Sequence, residues 1–226
     1  MRKALVVGFG SIGQRHAEIL EGLGVNVAVV SRRTISHPQP FWTVSDALHN
    51  FKPDYVIVAS KTNEHYENIT QLAELGFSGV LLIEKPLFDD VKPFPDNSFQ
   101  RVHIAFNMRF HPLLSELKKA VAQREIFSIH AYVGQYLPDW RPGRDYRAGY
   151  SAIKAQGGGV LRDLSHELDM STYIGGSAHN VTALGGKLSC LEIDSDDTFA
   201  ILMRMARCPA ASVNMNYLDT IPHREF

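Results

Sequence analysis

Short apolar runs alternate with segments of helical periodicity over the first hundred residues, and this alternation most restricts the possible folds. The apolar runs predict strands at residues 3–8, 26–30, 55–59, 80–84 and 102–106. The segment 12–23 repeats its apolar side chains at helical spacing. Strands that alternate with helices predict a parallel sheet, and burial on both faces explains why the runs lack polar positions. We therefore expect an N-terminal doubly wound α/β domain.

A glycine-rich segment, VVGFGSIGQRH, follows the first apolar run. Its Gly-x-Gly-x-x-Gly pattern, placed where a strand gives way to a helix, is the Rossmann dinucleotide-binding fingerprint. The first glycine allows a tight turn, the second lets a pyrophosphate approach the backbone, and the third allows close helix packing. We predict a dinucleotide site at Gly8, Gly10, Ser11, Ile12 and Gly13. The alternative is a glycine turn with only a structural role.

The residues after the second apolar run indicate which dinucleotide binds. An acidic side chain at this position would bind the ribose hydroxyls of NAD, but this chain has Ser31, Arg32 and Arg33. Guanidinium groups bind phosphate, and we expect no carboxylate nearby to repel a 2'-phosphate. We predict that NADP is preferred and that NAD is the second choice. The alternative is that both arginines are solvated loop residues.

Two further turns are expected beside the nicotinamide. In an open parallel sheet, ligands collect at the carboxyl ends of the strands. One such end continues into a turn that contains Ser60, Asn63 and His65, and the next ends in Glu84 and Lys85. The proline after Lys85 restricts that lysine to extended conformations, so its ammonium group is predicted to be directed at the site.

Apolar residues alternate with polar ones in the second half of the chain. The pattern predicts half-buried antiparallel strands near residues 127–133, 199–205 and 211–217. The turn at 207–210 joins the last two runs in phase, which predicts a hairpin. One helix is predicted at 159–174. We therefore expect an α+β domain with a mostly antiparallel open sheet.

Composition excludes several classes of function. The chain has 23 basic and 24 acidic residues and a net charge of -1, without a basic stripe that would bind nucleic acid. Its two cysteines, Cys190 and Cys208, are too few for a disulfide framework and lack the spacing of a zinc site, so we expect no metal. No apolar stretch is long enough to span a bilayer. These features favour a cytoplasmic protein without membrane contacts.

The segment 136–156 is rich in aromatic and basic residues and shows no alternation, which predicts a long loop. Loops of this length are uncommon unless they are functional. Stacking faces and cationic donors suit a sugar or an anionic sugar derivative, and the predicted contacts are Trp140, Arg141, Tyr150 and Lys154. The alternative is a packed surface flap that makes a subunit contact.

Four motifs together resemble the Gfo/Idh/MocA family, named for glucose-fructose oxidoreductase and inositol dehydrogenase. They are GFGSIGQRH, the turn with Asn63 and His65, IEKP, and GGGVLRDLSHELD. The resemblance implies a Rossmann domain, assigned to residues 1–108, and an α+β domain for substrate binding and oligomerisation, assigned to 109–226. It also implies that substrate is held between the domains and that the chain forms a dimer or tetramer.

The same resemblance implies three working groups, which map to Lys85, Asp163 and His166. Asp163 and His166 stand three positions apart, whereas many family members have four, but both spacings keep two side chains on one face of a helix. Asp163 is either a catalytic support or an acidic residue favoured at a helix start. His166 is either functional or a core histidine.

The implied reaction is hydride transfer between nicotinamide and a hydroxyl-bearing carbon of a sugar, polyol or sugar derivative. His166 would exchange the hydroxyl proton, and Lys85 would hold the substrate oxygen. The segment 105–112 resembles the family's hinge, where Asn107 and Arg109 either bind substrate or are structural. A non-catalytic NADP-binding sensor or assembly protein is the alternative function. The sequence stops during or just after a strand, so we expect the second domain to be incomplete.

Overall fold

The structure, a computed structural model, describes residues 2–226. Contacts between Cα atoms divide the chain into two compact units, one ending at Ala105 and the other beginning at Phe106. Among the residues described, no helix has the length and apolar character needed to cross a membrane. Likewise, residues 2–226 bring no three His, Cys, Asp or Glu side chains together as a metal-binding group.

The strands of the first unit form one six-stranded parallel sheet. They are β1 (Lys3–Val7), β2 (Asn26–Val30), β3 (Pro40–Phe41), β4 (Tyr55–Val58), β5 (Val80–Ile83) and β6 (Arg101–Ile104). Their order in the sheet is β3-β2-β1-β4-β5-β6, and every neighbouring pair is parallel. This order is that of the doubly wound dinucleotide-binding fold. The predicted N-terminal fold is therefore confirmed.

Helices cover both faces of this sheet. They are α1 (Ser11–Gly22), α2 (Val44–Phe51) and α3 (Thr62–Glu74). Val7 belongs to a buried cluster with Ala47 of α2 and Leu72 of α3, whereas Val6 belongs to a second cluster with Ala17 of α1. Each fully buried valine or leucine in these layers contributes about 1.5–3 kcal/mol. The sequence pattern gave no indication of α2 or of the short β3.

The edge strand β6 differs from the sequence expectation. All four of its residues, Arg101–Ile104, are exposed, whereas β1 and β2 are buried along almost their whole length. The difference follows from position, because β6 is the last strand of the sheet that residues 2–226 form, next to β5. An apolar run thus identified the strand but not its burial.

The second unit contains a five-stranded mixed sheet. Its strands are β7 (Ser128–Gly134), β8 (Ala178–Gly186), β9 (Thr198–Met205), β10 (Cys208–Asn216) and β11 (His223–Glu225), in the order β11-β7-β10-β9-β8. β7 and β10 pair in parallel, whereas the other three described pairs are antiparallel, so the predicted mostly antiparallel sheet is confirmed. The predicted hairpin is also present, since Met203 pairs with Ala211 and Ile201 with Val213.

Three helices accompany this sheet: α4 (Pro112–Val121), α5 (Val160–Asp163) and α6 (His166–Gly175). The prediction of one helix at 159–174 was wrong, because the backbone leaves helical geometry at Leu164, so that α5 ends at Asp163 and α6 begins at His166. Ahead of α5, Gly159 has a φ of 125°, and a side chain there would overlap the carboxylate of Asp196. The predicted loop at 136–156 holds four short 3-10 turns.

The close approach of α1 to the glycine turn predicts a stability defect in Gly13→Ala. A methyl group at Gly13 would overlap the carbonyl oxygen of Gly8, so backbone must move. We expect the free energy of unfolding to fall by about 1–3 kcal/mol, measured by urea denaturation.

Gly22→Ala is the matched control, since it lies in the same helix and an added methyl group would meet no atom within 4 Å. It should leave stability unchanged or slightly raised. Equal stability of the Gly13 and Gly22 variants would contradict this packing explanation.

Candidate functional site

Neighbouring strands of the first sheet end at the same level. Val7, the last residue of β1, pairs with Val30 on one side and with Val58 on the other, and Val58 pairs with Ile83. The turns that follow these four residues therefore begin side by side at the carboxyl edge of the sheet. This is the edge at which the sequence motifs predict that the dinucleotide binds.

The glycine turn between β1 and α1 is shaped to accept an anion. Gly10 precedes α1, whose first turn has no acidic residue and no side-chain cap. A side chain at Gly10 would meet no protein atom within 4 Å, so the space over this backbone is open. Ser11 and Ile12 form the exposed start of the helix. These residues fit a pyrophosphate group, because helix N-termini attract negative charge.

The two arginines after β2 have partners within the first unit. Nη2 of Arg33 donates to the carbonyl oxygen of Phe9 at 3.1 Å, and the Ser31 hydroxyl accepts from the Arg33 amide at 3.1 Å. Nη1 of Arg32 lies 3.9 Å from Oε1 of Glu64. The expectation that no carboxylate stands near these arginines was therefore wrong, because the fold brings Glu64 of α3 beside Arg32.

The turn after β4 presents Ser60 and Asn63 at the edge, while His65 points inward. The His65 ring is 1% exposed. Its Nδ1 lies 3.2 Å from the Pro86 carbonyl oxygen and 3.1 Å from that of Leu87, and its Nε2 lies 3.2 Å from that of Ser60. The imidazole thus joins the turn after β4 to the turn after β5.

The turn after β5 carries the charged pair Glu84 and Lys85. Glu84 is half-buried, and its Oε1 lies 2.6 Å from Nε2 of His16 in α1. Its Oε2 accepts from the Lys85 amide at 3.3 Å, and the Lys85–Pro86 peptide bond is cis. His16 is the last residue of the motif GFGSIGQRH, but the sequence alone gave no reason to pair it with Glu84.

Asp163 and His166 of the second unit lie on different helices. Asp163 is the last residue of α5 and His166 the first of α6, so the expected spacing along one helix does not apply. The Tyr217 hydroxyl donates to Oδ2 of Asp163 at 2.6 Å. Burial, followed by the charge of Asp163, raises the pKa of Tyr217, so this phenol stays protonated and keeps donating. The Phe106 ring lies edge-on to His166, with centroids 5.9 Å apart.

Two ion pairs hold further charged residues of α6. Nε and Nη2 of Arg109 contact the carboxylate of buried Asp169 at 2.9 and 2.5 Å, and this hydrogen bonding raises the pKa of Arg109. The guanidinium also lies 5.0 Å from the Tyr173 ring centroid. Nε of Arg224 lies 2.7 Å from Oε1 of the buried Glu167. Arg109 therefore has a structural ion pair at the position predicted to bind substrate.

The long loop divides into packed and exposed side chains. Trp140 packs edge-on against Tyr217, with ring centroids 5.1 Å apart. The Tyr150 hydroxyl donates at 2.7 Å to the first carbonyl of the glycine triplet. The other residues predicted to contact substrate have exposed side chains: Asn107, Arg141 and Lys154.

The buried His65 predicts a pH effect on stability. Burial lowers its pKa below the usual 6.5, although the carbonyls of Leu87, Ser60 and Pro86 and the charge of Glu84 oppose this shift. The unfolded chain therefore binds more protons, so stability is full above the unfolded-state pKa and falls as pH drops through the folded-state pKa. Between about pH 7.5 and about pH 5, wild type should lose more stability than His65→Gln, by at most about 1.4 kcal/mol per pH unit.

Chemical denaturation at each pH measures this difference. His49→Gln is the control, because His49 is exposed on α2 and its replacement should leave the wild-type slope unchanged. Parallel pH curves for wild type and His65→Gln would contradict the assignment.

Family models match most of the chain. A model described as an oxidoreductase family with an NAD-binding Rossmann fold matches residues 2–94, and the model of the Gfo/Idh/MocA C-terminal domain matches residues 114–225. A search of curated proteins returned no match.

Solved structures share the fold at low sequence identity. The WlbA dehydrogenase from Bordetella pertussis, in complex with NADH and UDP-GlcNAcA, is 20% identical with a TM-score of 0.78, covering 96% of this chain and 71% of that one. Levoglucosan dehydrogenase with NADH and levoglucosan is 18% identical with a TM-score of 0.78, covering 96% and 67%. The myo-inositol 2-dehydrogenase from Lactobacillus plantarum is 17% identical with a TM-score of 0.76, covering 95% and 69%. With both domain models matched, the chain belongs to the Gfo/Idh/MocA oxidoreductase family.

Proposed function

We propose that this protein transfers a hydride between a nicotinamide dinucleotide and a hydroxyl-bearing carbon of a sugar, polyol or sugar derivative. The observation that carries the proposal is the common level at which β1, β4 and β5 end. It brings the anion-accepting glycine turn and the turn with Lys85 to one edge of one sheet. The solved relatives bound to levoglucosan and UDP-GlcNAcA support the substrate class.

The pyrophosphate would be held over Gly10 and the start of α1, in a turn whose shape Gly8 and Gly13 allow, and the nicotinamide beside the turn after β4. When bound, the nicotinamide supplies the carbon that gives or accepts the hydride. Lys85 holds the substrate oxygen and stabilises the negative charge that develops there. This role gives a reason for the charged pair Glu84 and Lys85 after the apolar strand β5.

His166 takes or returns the hydroxyl proton, because an imidazole titrates near neutral pH. Asp163 supports this residue from the end of α5. The hydrogen bond from Tyr217 holds its carboxylate in one orientation, which favours a positioning role over that of a simple helix-start residue. The substrate contacts in this proposal are Asn107, Arg141 and Lys154. A structural role within the second unit is assigned to Arg109, Trp140 and Tyr150.

A panel of sugars, polyols and sugar nucleotides tests the function directly, with absorbance of the reduced nicotinamide as the readout. We expect turnover with at least one member. Lys85→Ala should reduce kcat by roughly 10²–10³-fold while dinucleotide binding persists. His166→Ala should reduce it by about 10²–10⁴-fold and change the pH profile.

Lys119→Ala and His49→Ala are controls of the same residue types, and both replace exposed side chains. They should keep wild-type turnover. Unchanged turnover in Lys85→Ala and His166→Ala would remove both residues from the mechanism.

NADP is proposed as the preferred cofactor. Arg32 and Arg33 follow β2 at the level of the glycine turn, and guanidinium groups bind a 2'-phosphate in bidentate fashion. Glu64 opposes this preference, because its carboxylate lies beside Arg32 and would repel the same phosphate. The proposal is that two cationic groups outweigh one partly exposed carboxylate.

Cofactor titration, followed by fluorescence, checks this balance. Wild type should bind NADPH about tenfold to a hundredfold more tightly than NADH, as charged hydrogen bonds predict. Replacing both Arg32 and Arg33 by Ala should abolish the difference, and Glu64→Gln should enlarge it. Arg124→Ala, which changes an exposed arginine of the second unit, should have no effect. Equal affinities of wild type for both cofactors would overturn the preference.

The alternative function is a non-catalytic NADP-binding sensor or assembly protein, which would use an exposed apolar face of the second unit. The second sheet exposes large apolar side chains on two neighbouring strands, among them Leu184 of β8 and Leu202 of β9. Such side chains suit association with another copy of the chain as a dimer or tetramer. Dinucleotide binding without turnover on the whole panel would support this reading over the enzyme.

A further inference from the structure

We propose that His16 is a positioning residue for Lys85 and acts through the carboxylate of Glu84. The inference rests on the role proposed above for Lys85, and it adds a residue that does not touch the reacting atoms. All three residues belong to the first unit.

The contact between His16 and Glu84 joins two separate elements. Nε2 of His16, in the second turn of α1, lies 2.6 Å from Oε1 of Glu84, which directly follows β5. The side chains are 21% and 14% exposed, so solvent competes only weakly for the carboxylate. Hydrogen bonds to ionised acceptors are short and roughly twice as strong as neutral ones. This contact therefore fixes the orientation of Glu84.

The second carboxylate oxygen transmits the restraint to Lys85. Oε2 of Glu84 accepts from the Lys85 backbone amide at 3.3 Å, so the carboxylate is held between an imidazole and the backbone of the lysine. Without His16, rotation of the Glu84 side chain towards water would release that amide. The lysine would keep its charge but lose the direction in which its side chain leaves the backbone.

The far side of the same turn is already anchored. His65 of α3 contacts the carbonyl oxygens of Pro86 and Leu87, as described above. The turn that begins at Glu84 is therefore held from α1 at its start and from α3 at its end. Since α1 also follows the glycine turn, His16 ties the helix that faces the pyrophosphate to the residue proposed to hold the substrate oxygen.

Two substitutions at His16 separate this role from a general packing role. In His16→Gln the amide nitrogen can occupy the place of Nε2 and still donate to Glu84, whereas the shorter side chain of His16→Asn cannot reach it. We expect His16→Asn to lose about tenfold to a hundredfold in kcat, the scale of a small misplacement of a catalytic group. His16→Gln should stay within about threefold of wild type, since the donated hydrogen bond is preserved. Dissociation constants for NADPH should be unchanged in both variants.

His49→Asn, on the exposed side of α2, is the control for a histidine-to-asparagine change and should match wild type. Lys85→Ala is measured in the same assay. If Lys85→Ala keeps full turnover, the proposed role of Lys85 fails. If it loses turnover while His16→Asn does not, the positioning role alone is overturned.

A measurement without substrate gives an independent result. Hydrogen exchange of the Lys85 amide, followed by NMR, should be faster in His16→Asn than in wild type and unchanged in His16→Gln. Equal exchange rates in all three proteins would overturn the proposal. Equal loss of kcat in the Gln and Asn variants would do the same, because it would show that the donor at the Nε2 position is not what matters.

Discussion

The parallel pairing of β1 with β2 and β4, and of β4 with β5, is the constraint on which the candidate site depends. The last residues of these strands lie side by side across the sheet, in the order Val30, Val7, Val58 and Ile83. Side-chain packing on both faces fixes this register, because a shift by one residue would send every side chain to the wrong layer. The core of the first unit therefore determines where four separate turns meet.

Acidic residues crowd the segment Asp163–Asp169 of the second unit, and each carboxylate contacts a side chain from elsewhere in the fold. The pairs are Asp163 with Tyr217, Glu167 with Arg224, and Asp169 with Arg109. A buried carboxylate is costly unless such partners compensate it. The cluster reads in sequence as a charged motif, but in the fold each of its carboxylates is paired with a side chain from another element.

The sequence was informative wherever the signal was local. Apolar runs identified five of the six strands of the parallel sheet, and the phase of residues 199–217 identified the hairpin. It did not predict contacts between residues that are far apart in the sequence. The contact of Arg32 with Glu64 and that of Arg109 with Asp169 join separate elements, and no spacing along the chain announces them.

Other failures had a local cause of a different kind. Leu164 continues the apolar pattern of the predicted helix, so the pattern could not reveal the break there. Strand β8 was missed because most of its residues are exposed, and a strand without a buried face shows no regular alternation of apolar and polar residues. His166 was chosen from motif resemblance, and Lys85 both from that resemblance and from its position at the carboxyl end of a predicted strand. The contact of His16 could not be inferred from the sequence, because its partner, Glu84, follows a strand far along the chain.

The parallel pairing of β7 with β10 has a consequence for the order in which the two units can fold during synthesis on the ribosome. Ser128 pairs with Ala210, so the second sheet cannot close until the emerging polypeptide has passed that point. The first sheet needs nothing beyond its last strand, β6, which ends at Ile104. Domains generally fold as units during synthesis, starting from the amino terminus. The first unit can therefore fold while the second is still being synthesised.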